Sequence, residues 1–372
     1  MVEVCPSTAD TEFCALLPHV ARQRIFAAAP VPSPIRRIPL VTPYLHALQG
    51  LATLRRTDRL NRQIAAAIDA DRFDVVLAQD CRIAMNPYVL RHLRTRSVFF
   101  CHHGFTHWTP PPDSAPSRRA ALKARYYAPA RRLFARALRR DEIRNARSAR
   151  RVLTASQFAQ QQVRAHYGVD AVVAGAGVDV SVFTPGAAEK GDYVLAVGEL
   201  SPQKDPLFLI EALGRLDPGR RPALVIAANA TEPALADSVQ RRAATLGVRV
   251  QITASGDDRA LAALYAGARV FVYAPRAEML GLACLEAMSC GTPVVAVGDG
   301  GVPETVLTGM TGWLTEREPQ AFAERVAALL ADPALCRRMG AAAAAHVRSA
   351  WTWSAMGDRV EAALSAEVSH RA

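Results

Sequence analysis

Short blocks of β-branched and aromatic residues alternate along this chain with longer segments whose apolar positions recur every three or four residues. That alternation is the pattern of parallel strands wrapped by helices. In the first half it predicts strands at Val2–Cys5, Arg36–Leu40, Asp74–Ala78, Ser97–His102 and Arg151–Ala155, with helices around Leu51–Ile68 and Asn86–Leu93. A polar break from Ala187 to Gly191 follows Phe183-Thr184-Pro185-Gly186, and the alternation then restarts. Strands are predicted at Tyr193–Val197, Ala223–Ala227, Val248–Thr253, Val270–Tyr273 and Val294–Val297. The intervening helices fall near Leu207–Leu216, Ala234–Leu246, Leu261–Tyr265 and Leu282–Cys290. Two such runs predict an α/β protein of two Rossmann-like domains, residues 1–186 and 187–352, with a last helix over 353–372 packing back on the first. Ligands of open α/β sheets bind beyond the carboxyl ends of the strands, so the cleft between the domains is the expected site.

A length of 372 residues agrees with two domains of ordinary size, and a composition that is 50% hydrophobic and 21% charged is that of a globular protein. No apolar run reaches the roughly 18–20 residues needed to span a bilayer. The start, Met1-Val2-Glu3-Val4-Cys5-Pro6, has neither the basic nor the apolar region of a secretory signal. Cysteines 5, 14, 81, 101, 284, 290 and 336 show no metal-ligand spacing, which reads as reduced thiols in a cytoplasmic protein.

The net charge of +11 is concentrated between Arg118 and Arg151, where only Asp141 and Glu142 oppose a dense series of arginines. Leu133, Phe134, Ala137, Leu138 and Ile143 recur at helical spacing within it, predicting one or two basic amphipathic helices broken near Pro129. Such a face is either simply solvated or docks on an anionic membrane surface. Nucleic acid would suit the charge, but no nucleic-acid-binding module is recognisable, and none is expected as a partner.

The segment Tyr273 to Pro293 carries the most specific chemistry. Its strand ends at Pro275, a loop holds Glu278 to Gly281, and a helix runs from about Leu282 to a stop at Gly291, with Pro293 just beyond. Gly281 lets a ligand approach the backbone, and the free N–H groups of the first turn, with the macrodipole, form an anion site. Glu286 is an anomaly on an otherwise apolar helix. A buried carboxylate needs donors, which a ribose diol would supply; otherwise it faces solvent or pairs with an arginine.

Glu278 and Glu286 are separated by seven residues, and their context resembles the E-x7-E motif of retaining GT-B glycosyltransferases of family 4. The E-P-F-G-L of that family reads Glu278-Met279-Leu280-Gly281-Leu282 here. The run from Glu286 through Gly291 to Pro293 also matches, as do Gly300-Gly301-Val302-Pro303-Glu304 and Gly312-Trp313-Leu314. The resemblance implies that Glu278 lies near the donor sugar, that Met279, Leu280, Gly281 and Leu282 cradle sugar and phosphate through their backbone, and that Glu286 holds the ribose. Gly198-Glu199-Leu200 with Lys204 resembles the G-R-L-x-x-x-K turn, whose two cations neutralise the donor diphosphate. Lys204 is in place, but Glu199 stands where the arginine belongs and would repel the diphosphate, unless it turns outward. Ser97 to Gly104 resembles the V-V-x-T-x-H-G segment, which puts His103 beside the donor sugar, and Val152 to Ser156 resembles the V-x-x-x-S strand end. The family's first strand, glycine loop and long helix have no counterpart before Val2, for which a misassigned start codon is the simpler account.

No cofactor or metal is expected. Asp69-Ala70-Asp71 offers only a superficial DxD pair, and Gly298-Asp299-Gly300-Gly301 is a poor dinucleotide loop because it runs into Val302-Pro303 rather than a helix. The resemblance thus implies a retaining glycosyltransferase, cytoplasmic or peripheral at the inner membrane face. It would move a sugar from a nucleotide-activated donor to a glycan, lipid or small-molecule acceptor. A degenerate relative acting as a binding or scaffold protein is the alternative, supported by Glu199 and the altered Glu278 loop; a nucleotide-sugar epimerase fits the E-x7-E block less well.

Overall fold

A computed structural model describes residues 2–6, 22–26, 42–80, 85–102, 118–186, 190–229 and 232–369. In the first domain, β1 (Val2–Pro6) and β2 (Arg22–Phe26) pair in parallel with each other. Helix α1 (Thr42–Asp71) then leads through β3 (Val76–Gln79), β4 (Ser97–Cys101), α2 (Arg118–Ser148), β5 (Arg151–Thr154) and α3 (Gln157–Tyr167) to β6 (Ala171–Val173). Strands β3 to β6 form a parallel sheet in sequential order, with Phe99 facing Ala78 on one side and Val152 on the other. Central β4 is buried along its whole length, which is why its sequence is apolar without alternation.

The second domain alternates β7 (Tyr193–Val197), α4 (Pro206–Gly214), β8 (Ala223–Ala227), α5 (Pro233–Leu246), β9 (Val250–Thr253), α6 (Asp258–Gly267), β10 (Val270–Tyr273), α7 (Leu282–Ser289) and β11 (Val294–Val297). It closes with β12 (Gly312–Thr315), α8 (Pro319–Ala331) and α9 (Pro333–Ala350). Its six parallel strands lie in the order β12-β11-β10-β7-β8-β9. Phe208, Ile210, Val239, Phe322 and Val326 pack on one face of this sheet, and Tyr265, Leu285, Met288 and Val347 on the other. Each such side chain stabilises by about 1.5–3 kcal/mol relative to exposure. Strand order reverses between β7 and β10, so the connections leaving their carboxyl ends diverge and open a crevice there.

Helix α10 (Trp353–Ser369) returns to the first domain. Ala363, Met356, Val360 and Leu364 cover Val98, Phe100 and Leu153 of its sheet. Glu367, almost wholly buried, accepts from Arg151 at 3.0 Å, and Arg96 donates to the Glu367 carbonyl. The chain crosses between domains side by side with itself: the Val178 N–H donates to the Trp351 carbonyl at 2.8 Å.

Several expectations require correction. The basic segment is a single helix that continues through Pro129. Proline removes one backbone bond there, but Pro129 and Arg125 both face solvent, while Ala130, Leu138 and Phe134 on the other face pack inward. Packing against α1 thus outweighs the local break. The Asn86–Leu93 helix is only a 3-10 turn, Tyr88–Arg91. Strands β2, β6 and β12 have no counterpart among the expected strands; β6 has three residues and an exposed Val172, too little for a pattern to register. The strand expected at Arg36–Leu40 lies outside the described residues.

Candidate functional site

The crevice at the β7/β10 reversal brings Gly198, Glu199 and Lys204 beside Tyr273, and through Lys204 it reaches Glu278. Lys204, in the turn after β7, reaches Glu278, in the loop after β10, with Nζ 2.6 Å from Oε2. The last residue of β10, Tyr273, completes a triangle: its hydroxyl donates to Glu278 Oε2 at 2.8 Å and lies 3.1 Å from Lys204 Nζ. Burial works against the Glu278 carboxylate. The Lys204 charge, together with hydrogen bonds from Lys204, Tyr273 and the Met279 amide, outweighs it and holds the pKa below the ordinary carboxylate value. The Tyr273 phenol is pushed well above its usual value, first by burial and then by Glu278. At neutral pH Glu278 is therefore a carboxylate and Tyr273 a neutral phenol.

Beyond the loop, Gly281 adopts φ 95°, a left-handed conformation that favours glycine, and α7 starts at Leu282 with no side chain capping its first turn. Leu282 is exposed at this helix start, whereas Leu280 is buried and offers the crevice only backbone. One turn on, Glu286 accepts from the Tyr265 hydroxyl at 2.7 Å. Burial pushes Glu286 up to about 7, partly countered by the Tyr265 bond and reinforced by Asp258. Its observed partner is thus a tyrosine rather than an arginine.

The glycines at 300 and 301 support the Glu278 loop. The Gly301 amide donates to the Glu278 carbonyl at 2.7 Å, and a Cβ on either glycine would run into the backbone of Glu278 or Met279. Gly198 (φ 141°) and exposed Glu199 border the same crevice as Lys204 and Tyr273. From the first domain, Ser156 at the start of α3 donates its hydroxyl to the Met279 carbonyl.

His103 lies outside the described residues. Its neighbour His102 stacks on Phe100 with centroids 4.0 Å apart, and its amide donates to the Asp80 carboxylate at 3.1 Å. Asp69 is occupied by the amides of Arg94 and Thr95 and by the Thr95 hydroxyl, while Asp71 pairs with Arg24 at 2.9 Å. The two carboxylates therefore serve different partners. Tyr273, Tyr265 and the cross-domain contact of Ser156 were not read from the sequence. An aromatic hydroxyl closing a buried strand five residues before a glutamate was the available signal for Tyr273.

Residues 179–346 match the family described as Glycosyl transferases group 1, and residues 20–182 match Glycosyltransferase Family 4. A D-inositol 3-phosphate glycosyltransferase of Corynebacterium glutamicum is 33% identical over 223 residues, 54% of this chain and 53% of that protein. That of Streptomyces griseus is 36% identical over 185 residues, 46% of this chain and 39% of its own. The chain spans about half the length of the curated relatives it matches. Among solved structures, Anabaena HepE in complex with UDP-glucose superposes with a TM-score of 0.70 at 19% identity, over 98% of this chain and 91% of that one. Sucrose-phosphate synthase of Thermosynechococcus elongatus gives 0.67 at 18% identity, over 97% of each chain. With family matches running through both domains and this architecture around them, the chain belongs to the family-4-like glycosyltransferases of the GT-B fold.

Proposed function

We propose that the β7/β10 crevice binds a nucleotide-activated sugar and that the protein transfers the glycosyl group, with retention, to a glycan, lipid-linked or small-molecule acceptor. The observation that carries this reading is the Lys204–Tyr273–Glu278 triangle beside the uncapped start of α7. Lys204 and the first-turn amides of α7 bind the diphosphate and stabilise the charge that grows on it as the bond to the sugar breaks. Glu278, with the backbone of Met279 to Leu282, positions the sugar, and His103 is assigned to the same sugar. Glu286 accepts from the ribose hydroxyls. No metal is required, because a lysine and a helix start supply the positive field. The UDP-glucose bound by the HepE neighbour supports the donor class.

The N-terminal domain carries a second surface. On α2, Arg131, Arg132, Arg136 and Arg139 are exposed, and Leu122, Tyr126 and Leu133 are exposed among them. Basic and apolar groups mixed on one helix favour an anionic membrane face, which would bring a lipid-linked acceptor to the cleft. No helix among the described residues is long and apolar enough to cross a membrane.

Calorimetry with UDP and GDP, followed by a donor-turnover assay with UDP- and GDP-sugars, tests the donor site. Saturable diphosphate binding that Lys204→Ala abolishes is expected. Absence of binding for both diphosphates would sink the donor-site reading. Binding without turnover would favour a degenerate binding protein, the role to which the carboxylate of Glu199 points.

A further inference from the structure

Arg317 follows β12, far in sequence from Lys204 and Glu278, yet it reaches the turns that build the crevice. Its guanidinium bridges Asp205 at 3.0 Å, directly after Lys204, and Asp299 at 3.2 Å, directly before the Gly300-Gly301 pair. It also donates to the carbonyls of Ala274 and Pro275, the residues linking Tyr273 to the Glu278 loop. One side chain, with only a fifth of its area exposed, thus ties together the connections leaving β7, β10 and β11.

Each tie bears on a donor-site element. Asp205 adopts φ 48° while capping α4, and Ala277, one residue before Glu278, adopts φ 49° with its amide held by Asp299 at 3.1 Å. Non-glycine residues in the left-handed region are strained and persist where their surroundings fix them. Arg276 adds a second cation on Asp205 at 3.0 Å. Both carboxylates beside the crevice are thereby neutralised and held in place.

We propose that Arg317 is a positioning residue for donor binding: it sets the spacing between Lys204 and Glu278 and cancels two carboxylates that would otherwise oppose a diphosphate. This inference rests on the donor-site reading above. A guanidinium suits the task because its planar fork serves several acceptors at once, which an ammonium on a single point cannot.

The test compares wild type, Arg317→Lys and Arg317→Gln by calorimetry with a nucleoside diphosphate and the matching uncharged nucleoside, alongside amide exchange of residues 274–281. In Arg317→Gln, diphosphate affinity is expected to fall at least about tenfold, the scale on which small misplacements act. Nucleoside affinity should stay within about twofold, since Glu286 and Tyr265 are untouched. Arg317→Lys should recover part of the loss. Exchange should quicken at 274–281 and not in β8. An unchanged diphosphate affinity, or equal losses for diphosphate and nucleoside, would overturn the proposal. If wild type binds neither compound, the donor reading fails, and exchange alone decides the positioning role: unchanged rates at 274–281 would overturn it.

Discussion

Glu304 belongs to the second domain, yet its carboxylate accepts from the amides of Gln157 at 2.7 Å and Phe158 at 2.9 Å, capping the first turn of α3 in the first domain. An anion at a helix start meets both its free N–H groups and its dipole. Beside it, Ser156 joins the same helix start to the Met279 carbonyl. The two domains therefore meet through the loop nominated for the donor sugar.

Removing this cap should loosen the contact between the domains. Glu304→Ala is expected to destabilise the domain contact by about 1 kcal/mol, the usual worth of a helix cap. Amide exchange at Gln157 and Phe158 should rise while β10 and β11 keep their protection, and small-angle scattering should show a larger radius of gyration. An unaltered radius together with unaltered exchange would mean that the cap does not hold the domains.

The raised pKa of Glu286 gives a pH signature. Its folded value, about 7, lies above the ordinary 4.5, so the folded protein holds this proton more tightly than the unfolded chain. The stability it lends is complete below about pH 4.5 and is lost as pH rises towards 7. Ribose binding runs the other way, because a carboxylate accepts better than a carboxylic acid, so affinity should increase through pH 7. Glu286→Gln should flatten this step in a calorimetric pH series, and Tyr265→Phe should move it upward. A wild-type series already flat from pH 6 to 8 would remove Glu286 from the site.

The position of Glu199 tempers what its charge can do. It borders the crevice with Lys204 but is exposed, so water and salt screen it. Glu199→Arg should tighten nucleoside diphosphate binding by about tenfold, or ~1.4 kcal/mol, and leave the uncharged nucleoside unaffected. Unchanged or weaker diphosphate binding would show that the side chain points away from the ligand.

The arginine face of α2 should bind anionic vesicles with a steep salt dependence, each basic group contributing on the order of 1 kcal/mol near the headgroups. Co-sedimentation with phosphatidylserine and phosphatidylcholine vesicles reads this directly. Replacing Arg131, Arg132 and Arg136 by Glu should abolish it; equal partition to both lipids would return the helix to a solvated role.

Strands β7, β8, β10 and β11 were legible because both faces are buried, leaving unbroken apolar runs bounded by glycine and proline. Helix α7 was legible because Gly281, Gly291 and Pro293 punctuate it. Pro129 misled because the local rule omits the packing that carries α2 past it. Arg317, Tyr265 and the cross-domain contact of Glu304 escaped because their partners are set by topology rather than by spacing. Arg317 stands 112 positions from Asp205, and Glu304 147 from Gln157.

The return of α10 has a consequence for biosynthesis. Phe100 and Leu153 belong to strands made before the second domain, but Ala363 and Leu364, which shield them, are made only after it. The first domain's sheet thus waits, one apolar face uncovered, while the second domain is synthesised and folds. Chaperone binding to the nascent chain should therefore persist until the helix bearing Glu367 clears the ribosome and docks against Arg96 and Arg151.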